Sequence, residues 1–494
     1  MHLPRPKLSP ARSHAVALAS GGILTLAFPE VDLAFLAWVA ISPLLIATRG
    51  AGWRRGVSLG FVFGLGFFGT LLYWIALVGY LAWAVLVLVQ AAFLGAFGAL
   101  WGIASRRLGG IGGVPLAAAL WTAIEFLRSI FPVGGFTWGQ LAQSQHELDW
   151  MLRAASFGGA WAVAFVVVFA NASVAHGWSR LRASAWGRGA ASGVVAILAL
   201  ALPATFPALA SEGPPVRVAI VQGNVPRSIP EGFERDLAII GNHARLTASL
   251  DRDVDLVVWP ESAVAIDPTR VDDVALTLGD AARAAGAPIV VGSNLDVDED
   301  HYRVVALQVS ADGEIVDRYQ KTHLVPFGEY VPARALFGWL PILDQVPRDA
   351  IPGEGPGLFE VAGGRLATVL SFEGDFGSLV RDRIDAGGRL LAVATNTSTW
   401  GESWASAQHL AMSQVRAAEN GVWVVHAAIS GISAFVAPDG NVVDRAELWT
   451  TDTMIRDIAF ADDVTFYART GDWLAYASLL AAALGLAVVR RRRA

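Results

Sequence analysis

Long apolar runs fill the first 210 residues, and one more lies near the C-terminus. They fall near 14–28, 31–48, 57–79, 81–104, 114–131, 155–176, 190–210 and 473–489. About 17–25 mostly apolar residues suffice for a helix that crosses a bilayer, so the pattern predicts eight spanning helices. The first run is short and closes at Phe28-Pro29. It reads as a span rather than a signal peptide, because Pro29 to Asp32 is a poor small-residue cleavage site and a second apolar run follows at once.

Between 211 and 471 the period changes. Compact apolar runs predict strands at Arg217–Gln222, Asp255–Trp259, Pro288–Gly292, Arg365–Leu370, Leu390–Ala394, Trp423–Ala428 and Ser433–Ala437. Helical spacing predicts helices at Arg235–Leu250, Val271–Ala285, Leu379–Ala386 and Trp404–Glu419. Tyr302–Val309 and Glu314–Tyr319 flank Asp312-Gly313, a hairpin signal. Strands alternating with crossover helices predict one α/β domain with sheets covered by helices. The expected organisation is a helical membrane bundle over 1–210, an α/β domain over 211–471, and an eighth span with a basic tail over 472–494.

Composition agrees. The 494 residues are 54% hydrophobic and 16% charged, with mean hydropathy +0.48. Soluble domains carry about 25% charged residues, so an ordinary soluble enzyme and a disordered chain are both excluded. There is no cysteine, hence no disulfide, thiolate metal site or thiol nucleophile.

The net charge of −6 divides unevenly. Residues 211–471 hold 37 acidic and 20 basic residues, against 6 acidic and 17 basic in the remainder. An acidic domain without a basic stripe argues against a nucleic-acid partner. The bases recur in alternate loops: Arg5, Lys7 and Arg12; Arg49, Arg54 and Arg55; Arg106 and Arg107; Arg180, Arg182 and Arg188; Arg490 to Arg493. By the positive-inside rule both termini are cytoplasmic and 211–471 lies outside the cytoplasm. Within the spans the charges are Glu125 and Arg128, three residues apart on one helical face. They read as a structural pair, too few for a transporter. Glycines 60, 64, 66, 69, 95 and 98 read as close helix packing.

Only Lys7 and Lys321 among the 37 basic residues are lysine, so Lys321 marks a place where a guanidinium does not serve. It stands at a predicted strand end, as do Glu261 and Ser371, and α/β sites gather at strand ends. Alone, each reads as a cap, a solvated cation or a turn residue; the three in this order and with these neighbours make a candidate site. Asp296, Asp298, Glu299 and Asp300 lack the spacing of a calcium loop and read as a solvated turn. No metal site and no cofactor is expected.

Trp259-Pro-Glu261, the run Lys321-Thr-His-Leu-Val-Pro-Phe-Gly-Glu329-Tyr-Val-Pro332 and Ser371-Phe-Glu373 resemble the nitrilase superfamily. Within it they are similar to the apolipoprotein N-acyltransferase family. Val221-Gln-Gly223, Thr395-Asn396, Gln408-His409 and Arg416-Ala-Ala-Glu419 add to the match. The resemblance implies eight spans and an extracytoplasmic αββα sandwich in a bacterial inner membrane, working as a monomer. It implies transfer of an acyl chain from phospholipid, through an acyl-enzyme, to the N-terminal amine of a diacylglyceryl-cysteine apolipoprotein. It assigns Glu261 as base, Lys321 as oxyanion stabiliser and position 371 as nucleophile, with the Phe372 N–H as a second oxyanion donor. Glu329, Glu373, Asn396 and Trp400 fall to supporting or substrate-lining positions.

The family's nucleophile is cysteine, and here it is Ser371. A thiol near pKa 8.5 is activated by a modest base, whereas a serine normally needs a histidine relay. Three readings stay open: an engineered variant, a homologue that has lost turnover, and a slow serine enzyme. His323 and His409 are relay candidates, but both stand where the family has them beside a cysteine, and a structural role is expected. Thr397 follows Asn396 where an acidic residue is expected. The rival functions are a catalytically inactive lipid- or lipoprotein-binding homologue and a membrane-tethered amide hydrolase.

Overall fold

A computed structural model describes residues 9–211, 213–250, 253–337 and 341–491. Arg5, Lys7, Arg492 and Arg493 of the charge pattern lie outside the described residues. The chain forms two compact units, residues 1–208 with 470–494, and residues 209–469.

The first unit is helical. Among its described residues four helices are long and apolar enough to cross a membrane: Tyr80–Leu108, Gly113–Ile130, Ala160–Leu181 and Trp186–Thr205. Ala34–Thr48 and Trp473–Val489 are shorter apolar helices. The expected runs differ from these elements where local residues interrupt them. The 31–48 run is a 3₁₀ turn, Ala34–Trp38, and a helix, Ser42–Thr48, with proline in its first turn. The 57–79 run is a helix that stops at Leu71 and continues as the 3₁₀ turn Tyr73–Leu77. The 155–176 run breaks at Gly159, where φ is +68°.

The glycine pattern has its expected use at most positions. A Cβ on Gly64 would lie 2.6 Å from Ala91 Cα, and one on Gly98 would lie 3.2 Å from Gly60 Cα. The helices Trp53–Leu71 and Tyr80–Leu108 therefore touch backbone to backbone. Gly69 faces open space. Glu125 and Arg128 are buried and 3.9 Å apart. Glu125 accepts the Leu141 N–H at 3.0 Å, and Arg128 donates to the carbonyls of Phe136 and Trp138. The pair thus fastens the 136–141 segment to its helix.

The second unit contains strands β1 (Pro215–Gln222), β2 (Leu256–Val258), β3 (Ile289–Asp296), β4 (His301–Val309), β5 (Ile315–Gln320), β6 (Asp349–Ala350), β7 (Leu358–Val361), β8 (Gly364–Leu370), β9 (Leu390–Thr395), β10 (Val424–Ala428), β11 (Ala434–Val436), β12 (Val442–Arg445) and β13 (Asp452–Ala459). One sheet runs β13-β1-β2-β3-β4-β5, with β6 beside β4. The other runs β12-β11-β10-β9-β8-β7. In the first, β1, β2 and β3 are parallel; in the second, β8, β9 and β10 are parallel.

Alternation along the strands makes three layers of core. Val218, Ile220, Val258 and Val290 of the first sheet meet Leu366, Leu370, Ala392 and Val425 of the second. The intervening residues Ala219, Val221, Val257 and Val291 face helices Phe233–Ala248 and Asp272–Ala285. Val369, Leu391, Val393 and Val424 face helices Gly377–Asp385 and Ala405–Asn420. The result is an αββα sandwich. Each parallel strand is buried on both faces, which is why these strands read as continuous apolar runs.

Candidate active site

The chemistry-bearing residues lie beyond the C-terminal ends of strands. Glu261 follows β2, Lys321 follows β5, Ser371 follows β8, and Asn396 follows β9. Glu261 reaches its place because β3 passes directly beneath it. A Cβ on Gly292 would lie 2.8 Å from the Pro260 carbonyl oxygen and closer still to Glu261 Cα.

Lys321 is fully buried, and its Nζ lies 3.0 Å from Glu261 Oε1 and 2.6 Å from Glu329 Oε1. The second carboxylate oxygens are also held: Asn396 N–H donates to Glu261 Oε2 at 3.2 Å, and Val325 N–H to Glu329 Oε2 at 2.7 Å. Burial pushes the Glu261 carboxyl above its ordinary range and Glu329 adds to the rise, while the Lys321 ammonium draws it back. Burial alone would lower the Lys321 ammonium. The two carboxylates outweigh it and hold the lysine charged well above its ordinary range. One cation between two carboxylates thus leaves a raised acid beside a permanent ammonium.

Ser371 opens a 3₁₀ turn, Ser371–Asp375, directly after β8, with φ +48°. This left-handed conformation is strained for a residue other than glycine. Glu373 holds the turn down. Its Oε2 accepts the Leu370 N–H at 3.0 Å. Its Oε1 accepts from Thr322 N (2.9 Å), Thr322 Oγ1 (2.8 Å), His323 N (3.1 Å), the Tyr319 hydroxyl (2.6 Å) and Arg383 Nη2 (3.1 Å). Burial would raise the Glu373 carboxyl, but Arg383 and these donors hold it below its ordinary range. Glu373 therefore ties the Ser371 turn to the residues directly after Lys321.

The Ser371 hydroxyl shares a 3.0 Å hydrogen bond with Thr395 Oγ1. Thr395 precedes Asn396, whose N–H binds Glu261. Ser371 thus joins the Glu261–Lys321–Glu329 cluster from both sides, through Thr395-Asn396 and through Glu373. Among the described residues no hydrogen bond links Ser371 to Glu261 or Lys321.

The remaining expected positions fall around this centre. Phe372 packs on Phe376 with centroids 5.0 Å apart and stacks on His323 at 5.8 Å. The Asn396 side chain turns to its own loop and accepts from Ser398 N–H and Oγ. Trp400 sits in the short turn Ser398–Trp400, edge-on to His409 at 5.6 Å. His409 Nε2 lies 3.1 Å from Asp375 Oδ1, both residues fully buried, which anchors the far end of the Ser371 turn. Burial lowers the His323 imidazole. Neither histidine hydrogen-bonds Ser371 among the described residues. Thr397 takes a 3.2 Å bond from Ser406. The acidic run after β3 is a turn, in which Asp298 caps the Asp300 N–H and pairs with His301, and Asp296 pairs with Arg348.

Sequence reasoning missed Arg383, Tyr319, Thr322 and Asp375. No local signal marks them, because each serves the site through a partner distant in sequence. For Thr395, the adjacent Asn396 was the available hint.

A buried Glu–Lys–Glu cluster at strand ends, with a serine on a strained turn beside it, lies in a domain of the carbon-nitrogen hydrolase class. The carbon-nitrogen hydrolase family matches residues 217–465, and the apolipoprotein N-acyltransferase N-terminal domain matches 20–173. An apolipoprotein N-acyltransferase of Geobacter metallireducens is 31% identical, covering 98% of this chain and 96% of its own. One of Mycolicibacterium smegmatis is 32% identical, covering 92% and 82%. The chain belongs to the apolipoprotein N-acyltransferase family. Among solved structures, a Nesterenkonia AN1 amidase from the nitrilase superfamily superposes with a TM-score of 0.40 at 18% identity, over 52% of this chain and 92% of its own.

Proposed function

We propose that this protein transfers a fatty acyl chain from a phospholipid to the N-terminal amine of a diacylglyceryl-cysteine apolipoprotein. Near-full-length similarity to N-acyltransferases supports the reaction class. The observation that carries the assignment of roles is the buried Lys321 held between Glu261 and Glu329 beside the Ser371 turn.

In the first step Ser371 Oγ attacks the ester carbonyl and Glu261 takes its proton. The oxyanion forms against the Lys321 ammonium and the Phe372 N–H. The C–O bond to glycerol breaks, and the lysophospholipid leaves with the proton from Glu261. In the second step the lipoprotein amine attacks the acyl-serine ester. Glu261 takes the amine proton and returns it to Ser371 as the amide forms. Asn396, Trp400 and Glu329 border or support this centre. Eight spans, cytoplasmic termini, an external catalytic unit and a monomeric state belong to the same reading.

A second reading has an observation of its own. The Ser371 hydroxyl is engaged with Thr395 rather than with Glu261, as suits a homologue that binds diacylated lipoprotein without turnover. An acyl-transfer assay in detergent separates the two. Phospholipid and a diacylglyceryl-cysteine peptide are incubated with the protein and with Ser371→Cys, and peptide mass reports the added acyl chain. Transfer by either form supports the acyltransferase. Peptide binding without transfer by a folded Ser371→Cys variant would overturn it in favour of the binding protein.

A further inference from the structure

Thr395 Oγ1 lies 3.0 Å from Ser371 Oγ, and among the described residues this is the only hydrogen bond of either hydroxyl. Thr395 closes β9. Its backbone is set by β10, where it stands opposite Ala428 and its carbonyl accepts the Ile429 N–H at 3.1 Å. A β-branched side chain is stiff at χ1, so backbone and branch together fix where this hydroxyl sits. Ser371 meets it from the end of β8, whose Leu370 pairs with Ala394, on the turn that Glu373 holds down.

Two hydroxyls share one bond, so one proton serves it and the other points elsewhere. Burial decides which. Thr395 is fully buried, whereas Ser371 retains 8% exposure. If Ser371 donated, the Thr395 proton would be sealed inside the domain without an acceptor, an expensive arrangement. If Thr395 donates, its proton is satisfied on Ser371 Oγ, and the serine proton is left uncommitted at the more open residue.

We infer that Thr395 is a catalytic hydrogen-bond donor to the reacting oxygen of Ser371, an assignment that rests on the reading of Ser371 as nucleophile. Thr395 keeps its own proton throughout. In the first step the Ser371 proton passes to Glu261 and the bond from Oγ to the acyl carbon forms. The negative charge that gathers on Oγ as the proton leaves faces the Thr395 O–H. In the second step the amine nitrogen takes the acyl carbon and the bond to Oγ breaks. The departing Oγ again faces that O–H until Glu261 returns a proton to it. A fixed donor aimed at an oxygen that gains charge binds the transition state more strongly than the ground state. The contact with Thr395 therefore leaves the serine proton free for Glu261.

The chain has no cysteine, so Ser371→Cys carries a single thiol, and its alkylation by iodoacetamide reports the thiolate. The rate is followed against pH, in detergent, for full-length Ser371→Cys and for the same protein with Thr395→Val or Thr395→Ser. Valine keeps the branch and removes the donor; serine keeps the donor and removes the methyl. The charged and titratable groups around the position are Glu261, Lys321, Glu329, Glu373 with Arg383, Asp375 with His409, and His323. They are the same in all three proteins, so a difference belongs to residue 395. A hydrogen bond to the charged form favours it. Thr395→Val is expected to move the midpoint up by about one pH unit, a tenfold loss of thiolate below it, or about 1.4 kcal/mol. Thr395→Ser is expected to keep the midpoint near that of Ser371→Cys alone. A midpoint that stays or falls in folded Thr395→Val would overturn the proposal. So would an equal rise in Thr395→Ser, which would mark an effect of packing. Should Thr395→Val fail to fold, Thr395→Ala removes the same donor with less bulk, and the same outcomes apply. Alkylation needs neither acyl donor nor acceptor. An unshifted midpoint in a protein that transfers acyl chains removes the donor and spares the acyltransferase reading; a shifted midpoint without transfer removes that reading and spares the hydrogen bond.

Discussion

Lys321→Met is the sharpest perturbation of the candidate site. Methionine preserves most of the length and apolar volume and removes only the ammonium. That ammonium lies 3.0 Å from Glu261 and 2.6 Å from Glu329, and all three groups are largely withdrawn from water. Without it, two carboxyls face one empty space, each keeping a single backbone N–H. Breaking a buried ion pair from one side costs about 3–5 kcal/mol. For a unit of this size that is a fall in Tm of roughly 6–20 °C. The pH dependence gives the sign. Burial already raises the Glu261 carboxyl, and losing the cation raises it further. A carboxyl raised in the folded state stabilises below its unfolded pKa, about 4.3, and that contribution is lost as pH rises. The deficit of Lys321→Met should therefore be small near pH 4.5 and grow toward pH 8. Parent and variant are compared by thermal unfolding in detergent across that range. Adding Glu329→Gln to Lys321→Met removes one of the facing carboxyls and should recover part of the stability, but none of the acyl transfer. A Lys321→Met protein as stable as the parent at pH 8 would refute the charge-cluster argument.

Other substitutions test the remaining contacts. Ser371→Cys should raise acyl transfer, because a thiol near pKa 8.5 is within reach of the Glu261 carboxylate; peptide mass measures it, and an unchanged rate would detach position 371 from the chemistry. Glu261→Gln in that variant should lower the rate about 10²–10⁴-fold through loss of the proposed general base, read in the same assay. Glu373→Gln strips the buried Arg383 of its counter-charge and should cost about 3–5 kcal/mol. Because the Glu373 carboxyl is held low, the parent owes it stability that is present above pH ~4.3 and lost as pH falls. Acid unfolding of Glu373→Gln should accordingly be less steep. Gly292→Ala drives a methyl into the Pro260-Glu261 backbone and should destabilise by about 1–3 kcal/mol, with a parallel loss of transfer.

Elements whose signal is local were legible in the sequence. Strand β8 was expected at Arg365–Leu370 and runs Gly364–Leu370; the helix expected at Val271–Ala285 runs Asp272–Ala285. Strands buried on both faces leave continuous apolar runs, and amphipathic helices leave a 3.6-residue period. Strands without such runs were missed. β13, Asp452–Ala459, pairs antiparallel with β1 along its whole length, from Pro215↔Ala459 to Gln222↔Asp452. Its sequence mixes exposed Asp457 with buried Met454 and Ile458. Its strand character comes from the open edge of β1, which no window around 452–459 contains. β12, Val442–Arg445, was missed for the same reason, as a half-exposed edge strand.

The site follows the same division. Glu261, Lys321 and Ser371 were legible as polar residues ending apolar strands, and the scarcity of lysine singled out Lys321. What was not legible is how these ends are brought together. The Ser371 turn is held to the Lys321 segment by one carboxylate, Glu373, and that carboxylate is kept ionised by Arg383 on the following helix. Glu261 is held to the strand-end loop of the other sheet by the Asn396 N–H. These contacts cross between the two sheets of the sandwich, so they depend on both sheets being formed and packed. This separates two kinds of failure. Loss of Arg383 should release the Ser371 turn while the Glu261–Lys321–Glu329 cluster, whose contacts do not involve it, persists. Loss of Lys321 should disperse the cluster while the turn stays pinned by Glu373.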